Sequence, residues 1–448
     1  MNDKIYLFEK EKISKSVMAL AVPTILSSLV MVIYNLADTF FVGMLNDPIQ
    51  NSGVTLAAPV LLAFNAINNL FGVGSSSMMA RALGRRDYET VAKTSSIGFY
   101  CSLICSAIFS ILCFVFMDQL LVLLGADAST SMATYQYLRW TVVWGAIPAI
   151  LNVVLAYLVR SEGASLHASI GTMSGCILNI ILDPIFILPG FLNMKTEGAA
   201  LATFISNCFA CMYFFVLLYK KRGNTFVSLN IKKFSLDKEI IKGICIVGVP
   251  ASIQNLLNVT GMTIFNNITS TYGATAVASM GIVQKVYNIP WYISSGISQG
   301  VMPLISYNYA SGNRKRMRDA FVFASKISLS IIICFVLMYY VFADQVIQLF
   351  MNNPEIIHHG AILLRGFCLA LPFLCIDFMA VGVFQAIGLG KYSLIFAVMR
   401  KIILEIPAII ILNLLFPLYG LGYSQFVAEL ILSIVAVIML RKIFAGQV

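Results

Sequence analysis

Long apolar runs alternate with short polar breaks along this chain. Twelve runs stand out, at roughly 16–44, 54–80, 94–117, 135–158, 166–188, 197–219, 241–268, 274–303, 320–343, 360–387, 392–414 and 421–441. Most exceed the roughly 20 residues that a helix needs to cross a bilayer. They are rich in Gly, Ser and Pro, which membrane bundles tolerate far better than soluble helices do. The pattern predicts an all-α polytopic membrane protein with twelve transmembrane helices.

The polar breaks orient these helices. Every second one is basic. One side receives the N-terminus, RALGRRDYETVAK, KKRGNTFVSLNIKKFSLDKEIIK, GNRKRMR, the Lys391 turn and the C-terminal RK. The other receives Asp47, Asp118, Asp127, Asp344 and Glu355, with little more than Lys195 against them. The positive-inside rule places both termini in the cytoplasm. A single misassigned run would move two basic loops outside, so the charges check the count. The charged start MNDKIYLFEKEKISKS leads into a full-length run, which is expected to act as its own insertion signal.

The two halves repeat each other. LAVPTILSSLV at Leu20 resembles IVGVPASIQNLL at Ile246, and GVTLAAPV at Gly53 resembles GATAVASM at Gly273. ARALGRRD at Ala80 matches NYASGNRK at Asn308. The run ending on Gly163 matches the one ending on Gly388. NIILDPIFI at Asn179 matches KIILEIPAI at Lys401, which pairs Asp183 with Glu405. Each match alone is weak, but five in the same order define a duplication. The expected organisation is a six-helix lobe over 1–219, a cytoplasmic linker over 220–240 and a second six-helix lobe over 241–448. The two bundles are then pseudo-symmetric about an axis along the membrane normal, with a central cleft between them.

Composition agrees with a membrane protein: 59% of the 448 residues are hydrophobic and 11% charged, against roughly 25% charged in soluble proteins. The net charge of +10 sits in loops rather than on a binding face, which argues against a nucleic-acid partner. The ten cysteines are scattered, mostly in apolar runs, and read as small buried side chains. There is no GxxxxGK[ST] loop and no room for an ATPase domain, so no ATPase partner is expected. No HExxH motif is present, and His167, His358 and His359 sit near loops or run ends, so the chain is not expected to be an enzyme. A passive channel would differ in lacking dependence on a counter-ion gradient.

Two acids interrupt the apolar runs of the first half, Asp38 and Asp183. A carboxylate in hydrocarbon is costly and needs a partner, a cavity or a proton. Asn179 and Asp183 are i and i+4 on one helical face. Pro184 lacks an N–H and crowds the carbonyl of Ile180, which can free backbone carbonyls. Thr203 offers a hydroxyl from the next run. Two chemistries fit this set: a proton held between the acids, or Na⁺ among the oxygens. The bland alternative, a helix-break cap and an ordinary ion pair, is weakened because neither run carries Lys or Arg.

The chain resembles the multidrug and toxic compound extrusion family, most closely the bacterial branch of MepA-type exporters. The likeness is carried by Pro23 with Asp38 fifteen residues later in NLADTFFVG, by ALGRRD at 82–87, NIILDP at 179–184 and GAALAT at 198–203. PWYISSGISQGVMPLISYNYASGN at 290–313 extends it through the second half. The resemblance implies secondary antiport in the bacterial cytoplasmic membrane, with lipophilic cationic drugs exported against H⁺ or Na⁺. It implies no cofactor, no metal beyond a possible Na⁺, and a monomer among membrane lipids. It also implies that Asp38, Asn179, Asp183 and Thr203 form the cation or proton site of the first lobe. A flippase for lipid-linked precursors is the alternative. It would call for a cluster of arginines to hold pyrophosphate, and none stands out.

In the second half, some family members carry a carboxylate where this chain has Gln254 and Asn255, both neutral. Asp377 is the better remaining candidate for a drug- or proton-binding acid, with Arg365 as its possible structural partner. Glu405 is expected to pair with Lys401 or Arg400, and Lys285 to neutralise Asp377 or Glu405. Met31, Tyr34 and Asn35, with Met262, Asn266 and Met280, are candidate drug-cavity residues, because Met and aromatic side chains suit flat hydrophobic cations. Tyr137, Trp140 and Trp291 read as interfacial belts, with the cleft as the alternative place for Trp291.

Overall fold

The computed structural model describes residues 2–45 and 47–447, and it is helical almost throughout. In chain order the long helices are α1 (Ile13–Gly43), α2 (Pro48–Gly84), α3 (Tyr88–Val115), α4 (Ser131–Val143 with Ala146–Ser161), α5 (Ser165–Ile187) and α6 (Lys195–Lys220). Then come α7 (Lys238–Ser270), α8 (Ala274–Ala310), α9 (Arg314–Val341) and α10 (Pro354–Cys368 with Leu371–Ile387). The last two are α11 (Gly390–Val398, Met399–Glu405 and Ile406–Leu415) and α12 (Gly420–Phe444). Both halves of α4 and of α10 meet at a 44° bend.

Among the described residues, seven helices are long and apolar enough to cross a membrane, or nine if each bent pair is one span. The chain is therefore an all-α polytopic membrane protein. The other three expected runs are also helical, as α8, α11 and α12.

Local chemistry sets the helix ends. The Asp47 carboxylate accepts from the amides of Ile49 and Gln50, ahead of Pro48 in the first turn of α2. Asn353 does the same for Glu355 and Ile356 at α10, again with a following proline. Asp87 and Asn313 cap α3 and α9. Gly163 and Gly388, which close the two repeated runs, both take positive φ, at 86° and 84°.

By contacts the chain divides into two compact units. Met1–Lys10 and Leu26–Ser252 form the first, and Glu11–Ile25 and Ile253–Val448 the second. Both divisions inside helices fall two residues past a repeat-related proline, Pro23 in α1 and Pro250 in α7.

In the first unit, α5 and α6 touch closely because small residues line the contact. A Cβ on Gly171 would lie 2.3 Å from the Phe214 ring, and one on Gly248 would lie 2.1 Å from the carbonyl oxygen of Leu70. In the second unit the core is apolar and contiguous, with Val283, Tyr287, Leu363, Leu364, Leu371 and Ile409 among its members.

Part of the expected linker is folded onto the first unit. The Ser95 and Ser96 hydroxyls donate to the carbonyl of Ser228, and Tyr100 donates to that of Leu229 at 2.8 Å. The buried Glu162 carboxylate accepts from Thr225 Oγ1 at 2.9 Å and from the Phe226 amide at 2.6 Å, and it pairs with Lys4. Phe226 and Val227 are buried. All ten cysteines are free, including the close pair Cys208 and Cys211 on α6.

Candidate functional site

In the first unit, α5 carries Asp183, fully buried, and Asn179, 2% exposed. The hydrogen-bond network assigns the Asn179 amide. Its Nδ2 donates to Asp183 Oδ2 at 2.9 Å, and its Oδ1 accepts from Thr203 N at 3.1 Å and Oγ1 at 3.2 Å. Thr203, on α6, therefore holds the amide in the orientation that presents a donor to the carboxylate. The proline after Asp183 does not interrupt α5, which continues to Ile187.

Asp38, half-buried on α1, lies within electrostatic reach of Asp183. Tyr34, one turn earlier, and Tyr137 of α4 both feel the two carboxylates. Tyr137 is 7% exposed, so it belongs to this cluster and not to an interfacial belt. Sequence reasoning missed it because a tyrosine near the start of a run carries the same signal in either role.

Among the described residues, neither Asp38 nor Asp183 forms an ion pair. Two carboxylates in a poorly hydrated place, with no base beside them, call for a proton or a cation. The Asn179 amide bears on which. In this arrangement its oxygen is engaged by Thr203 and its NH₂ donates to Asp183. No group of three His, Cys, Asp or Glu able to hold a metal ion occurs among the described residues.

The second unit holds a different cluster. Lys401 Nζ lies 2.7 Å from Glu405, and Arg400 Nε lies 2.6 Å from Glu429 Oε1 of α12. The second contact is a close ion pair whose angle falls short of a hydrogen bond. All four residues are less than 9% exposed. Met399–Glu405 is π-helical, and its i→i+5 spacing puts Arg400 and Glu405 on one face, so three charges point inward from one stretch. Asp377, 2% exposed, sits near Glu429 and Arg400, with both of its oxygens lacking a well-formed hydrogen bond. Glu429 was overlooked in the sequence, although an acid in the apolar FVAELILSIV is the same signal that marked Asp38 and Asp183.

Several expectations for this half need correcting. Lys285 is exposed and forms no ion pair among the described residues, so no burial cost demands a partner for it, while Lys401 pairs with Glu405 and Arg400 with Glu429. Arg365 pairs with Asp344 at 2.6 Å, and so is not the partner of Asp377. Met280, 1% exposed, is packed in the apolar core.

The remaining candidates are placed as follows. Gln254 Oε1 accepts from Gln385 Nε2 at 3.4 Å, and Asn255 is half-buried. Met262 is 48% exposed, and Asn266 is exposed and accepts from Gln284 at 3.0 Å. Met31 is half-buried and Asn35 exposed. Trp140 donates to Glu197 at 3.0 Å, and Trp291 packs on Phe378 with ring centroids 5.1 Å apart.

A family model described as MatE matches residues 23–185 and 250–411. The sequence is 33% identical to Multidrug export protein MepA of Staphylococcus haemolyticus (strain JCSC1435), over 99% of this chain and 96% of that protein. The structure superposes with TM-score 0.93 on a crystal structure of MATE in complex with MaL6, at 26% identity, covering 100% of this chain and 99% of the other. It superposes equally, at 27% identity, on the outward-facing conformation of a multidrug resistance MATE family transporter of the MOP superfamily, covering 99% of this chain and 98% of that one.

Proposed function

The chain belongs to the MatE family, and on that premise we propose that it exports lipophilic cationic drugs by secondary antiport against H⁺. The observation that carries the choice of ion is the acidic pair of half-buried Asp38 and fully buried Asp183. Among the described residues it has no basic partner, and the Asn179 amide offers Asp183 an N–H. A proton needs only a carboxylate oxygen, whereas Na⁺ would need the amide turned to present its oxygen.

The proposed cycle uses two six-helix lobes, 1–219 and 241–448, on either side of a cleft, with twelve spans and cytoplasmic termini. Protons arriving from outside neutralise the Asp38–Asp183 pair and favour the arrangement that releases drug. Losing them to the cytoplasm restores the anionic pair that attracts the next cation. Drug and proton need not touch, because each need only prefer a different arrangement of the lobes. We place the protein in the bacterial cytoplasmic membrane as a monomer.

The test is uptake of ethidium by inverted membrane vesicles carrying the protein, with ΔpH and ΔNa⁺ imposed separately and Asp183→Asn as control. ΔpH-driven uptake that is lost in the variant is expected. Uptake driven only by ΔNa⁺ overturns the choice of ion, and no gradient-driven uptake overturns drug antiport.

A further inference from the structure

A cavity of about 410 Å³ lies between α9, α10 and α12 of the second unit. One face of α9 lines it with Arg318, Phe321, Ser325 and Leu329, at i, i+3, i+7 and i+11. From α12 come Val437, Leu440 and Phe444, with Arg441 beside them. The Phe321 and Phe444 rings meet at 5.1 Å near the mouth. Met379 of α10 contributes to the apolar wall.

The charge distribution is one-sided. Arg318 follows the start of α9 and Arg441 precedes the end of α12, so both stand at the basic ends of their helices. Both are exposed, and among the described residues neither forms an ion pair. The lining contains no acid. From Arg318 to Leu329 the groove descends eleven residues, or roughly 16 Å along the helix. That is about half of the roughly 30 Å hydrocarbon core, the depth of one leaflet. Two turns below Arg318, the buried Ser325 hydroxyl has no hydrogen-bond partner.

We propose that this groove is a binding site for one anionic phospholipid, with its phosphate between Arg318 and Arg441 and an acyl chain along the apolar wall. Two guanidiniums offer forked donors to a phosphate, while an apolar trench one leaflet deep fits a chain and not a soluble anion. The unpartnered Ser325 hydroxyl lies where it can donate to a glycerol ester carbonyl. On the topology proposed above, the mouth faces the cytoplasmic leaflet, where anionic lipids gather around basic pockets. The assignment concerns a surface away from the acidic pair, and it stands or falls independently of the antiport reading.

The experiment is native mass spectrometry of the purified full chain, challenged with equal amounts of phosphatidylglycerol and phosphatidylethanolamine of matched chains. Preferential retention of phosphatidylglycerol is expected. Arg318→Gln with Arg441→Gln should lower the bound fraction at least about fivefold, whereas Lys442→Gln, adjacent but outside the lining, should not. Leu329→Trp fills the floor and leaves both arginines intact; it should also release the lipid, which covers a double variant that fails to fold. Glycerophosphoglycerol, the headgroup without chains, should not compete. Equal retention of the two lipids, retention by both groove variants, or competition by the bare headgroup would each overturn the proposal.

Discussion

Lys401 and Glu405 form a buried ion pair 2.7 Å apart, at the positions that Asn179 and Asp183 hold in the other repeat. The same i, i+4 spacing in sequence carries a neutral donor on an α-helix in one half and a tethered ammonium on a π-helical stretch in the other. Across from the first pair stand Tyr34 and Asp38. The offset of 227 between Pro23 and Pro250 sets Gly261 and Phe265 at their counterparts. A Cβ on Gly261 would lie 3.1 Å from Lys401 Cδ, so the missing side chain makes room for the lysine. The first half has two acids and no basic residue paired with them among the described residues, whereas at the matching position of the second half Glu405 is paired with Lys401.

Lys401→Met should therefore strand Glu405 as an unpaired buried charge, at a cost of about 3–5 kcal/mol. Adding Glu405→Leu should recover much of that loss. Thermal unfolding in detergent reads both. If the single variant is as stable as the wild type, the pair has no structural role.

Asn179→Leu removes the donor to Asp183 while leaving both acids. A hydrogen bond to a charged group contributes roughly 1.5–3 kcal/mol, so ΔpH-driven ethidium uptake should fall at least about tenfold. The amount of protein in the membrane should stay unchanged. Normal uptake would remove Asn179 from the site.

Glu162→Ala takes away the acceptor shared by Lys4, Thr225 and Phe226. The segment after Thr225 should loosen from α3. Trypsin cleavage at Lys232 and Lys233 should rise at least about fivefold, for a local loss of roughly 1–3 kcal/mol. Unchanged digestion would mean that the serine and tyrosine contacts hold the segment alone.

Gly248→Ala puts a methyl against the Leu70 carbonyl, and backbone cannot step aside as a side chain can. Overpacking costs about 1–3 kcal/mol. A lower melting temperature is expected, with Gly190→Ala, whose added Cβ meets nothing within 4 Å, as the silent control.

Asp127 lies in the loop before α4, where Ser129 and Thr130 donate four hydrogen bonds to its Oδ1. These hold its pKa down, at about 2. The unfolded value is roughly 3.9. A depressed pKa means that the loop's support is complete above the unfolded value and is lost as pH falls through the folded one. Amide exchange at Ser129 and Thr130, corrected for intrinsic rates, should rise between roughly pH 4 and 2. In Asp127→Asn it should already be fast at neutral pH.

Much of this was legible in the chain because hydrocarbon makes charges rare and therefore informative. Asp38, Asn179, Asp183 and Thr203 were readable as a group from spacing and apolar context, and the structure brings Asn179, Asp183 and Thr203 into contact with Asp38 close by. What stayed hidden has physical reasons. Met280 and Met262 look alike in sequence, yet one is core and the other exposed, since lipid, core and cavity all accept methionine. Lys285 was assigned a partner by the cost of burying it, a cost it avoids by being exposed. The 225–229 segment reads as a charged tether, but its backbone is held by serine and tyrosine hydroxyls that hydropathy does not register.

The π-helical stretch Met399–Glu405 also governs how this helix can be compared with others. A widened turn accommodates one residue more than an α-helix does over the same rise. A homologue lacking it would need a one-residue gap near Arg400 for its later positions to point the same way. An ungapped alignment would rotate every side chain from Glu405 onward, setting lipid-facing residues against cluster residues. Deleting a single residue here would do the same to the protein itself and turn part of the buried charge cluster towards the membrane.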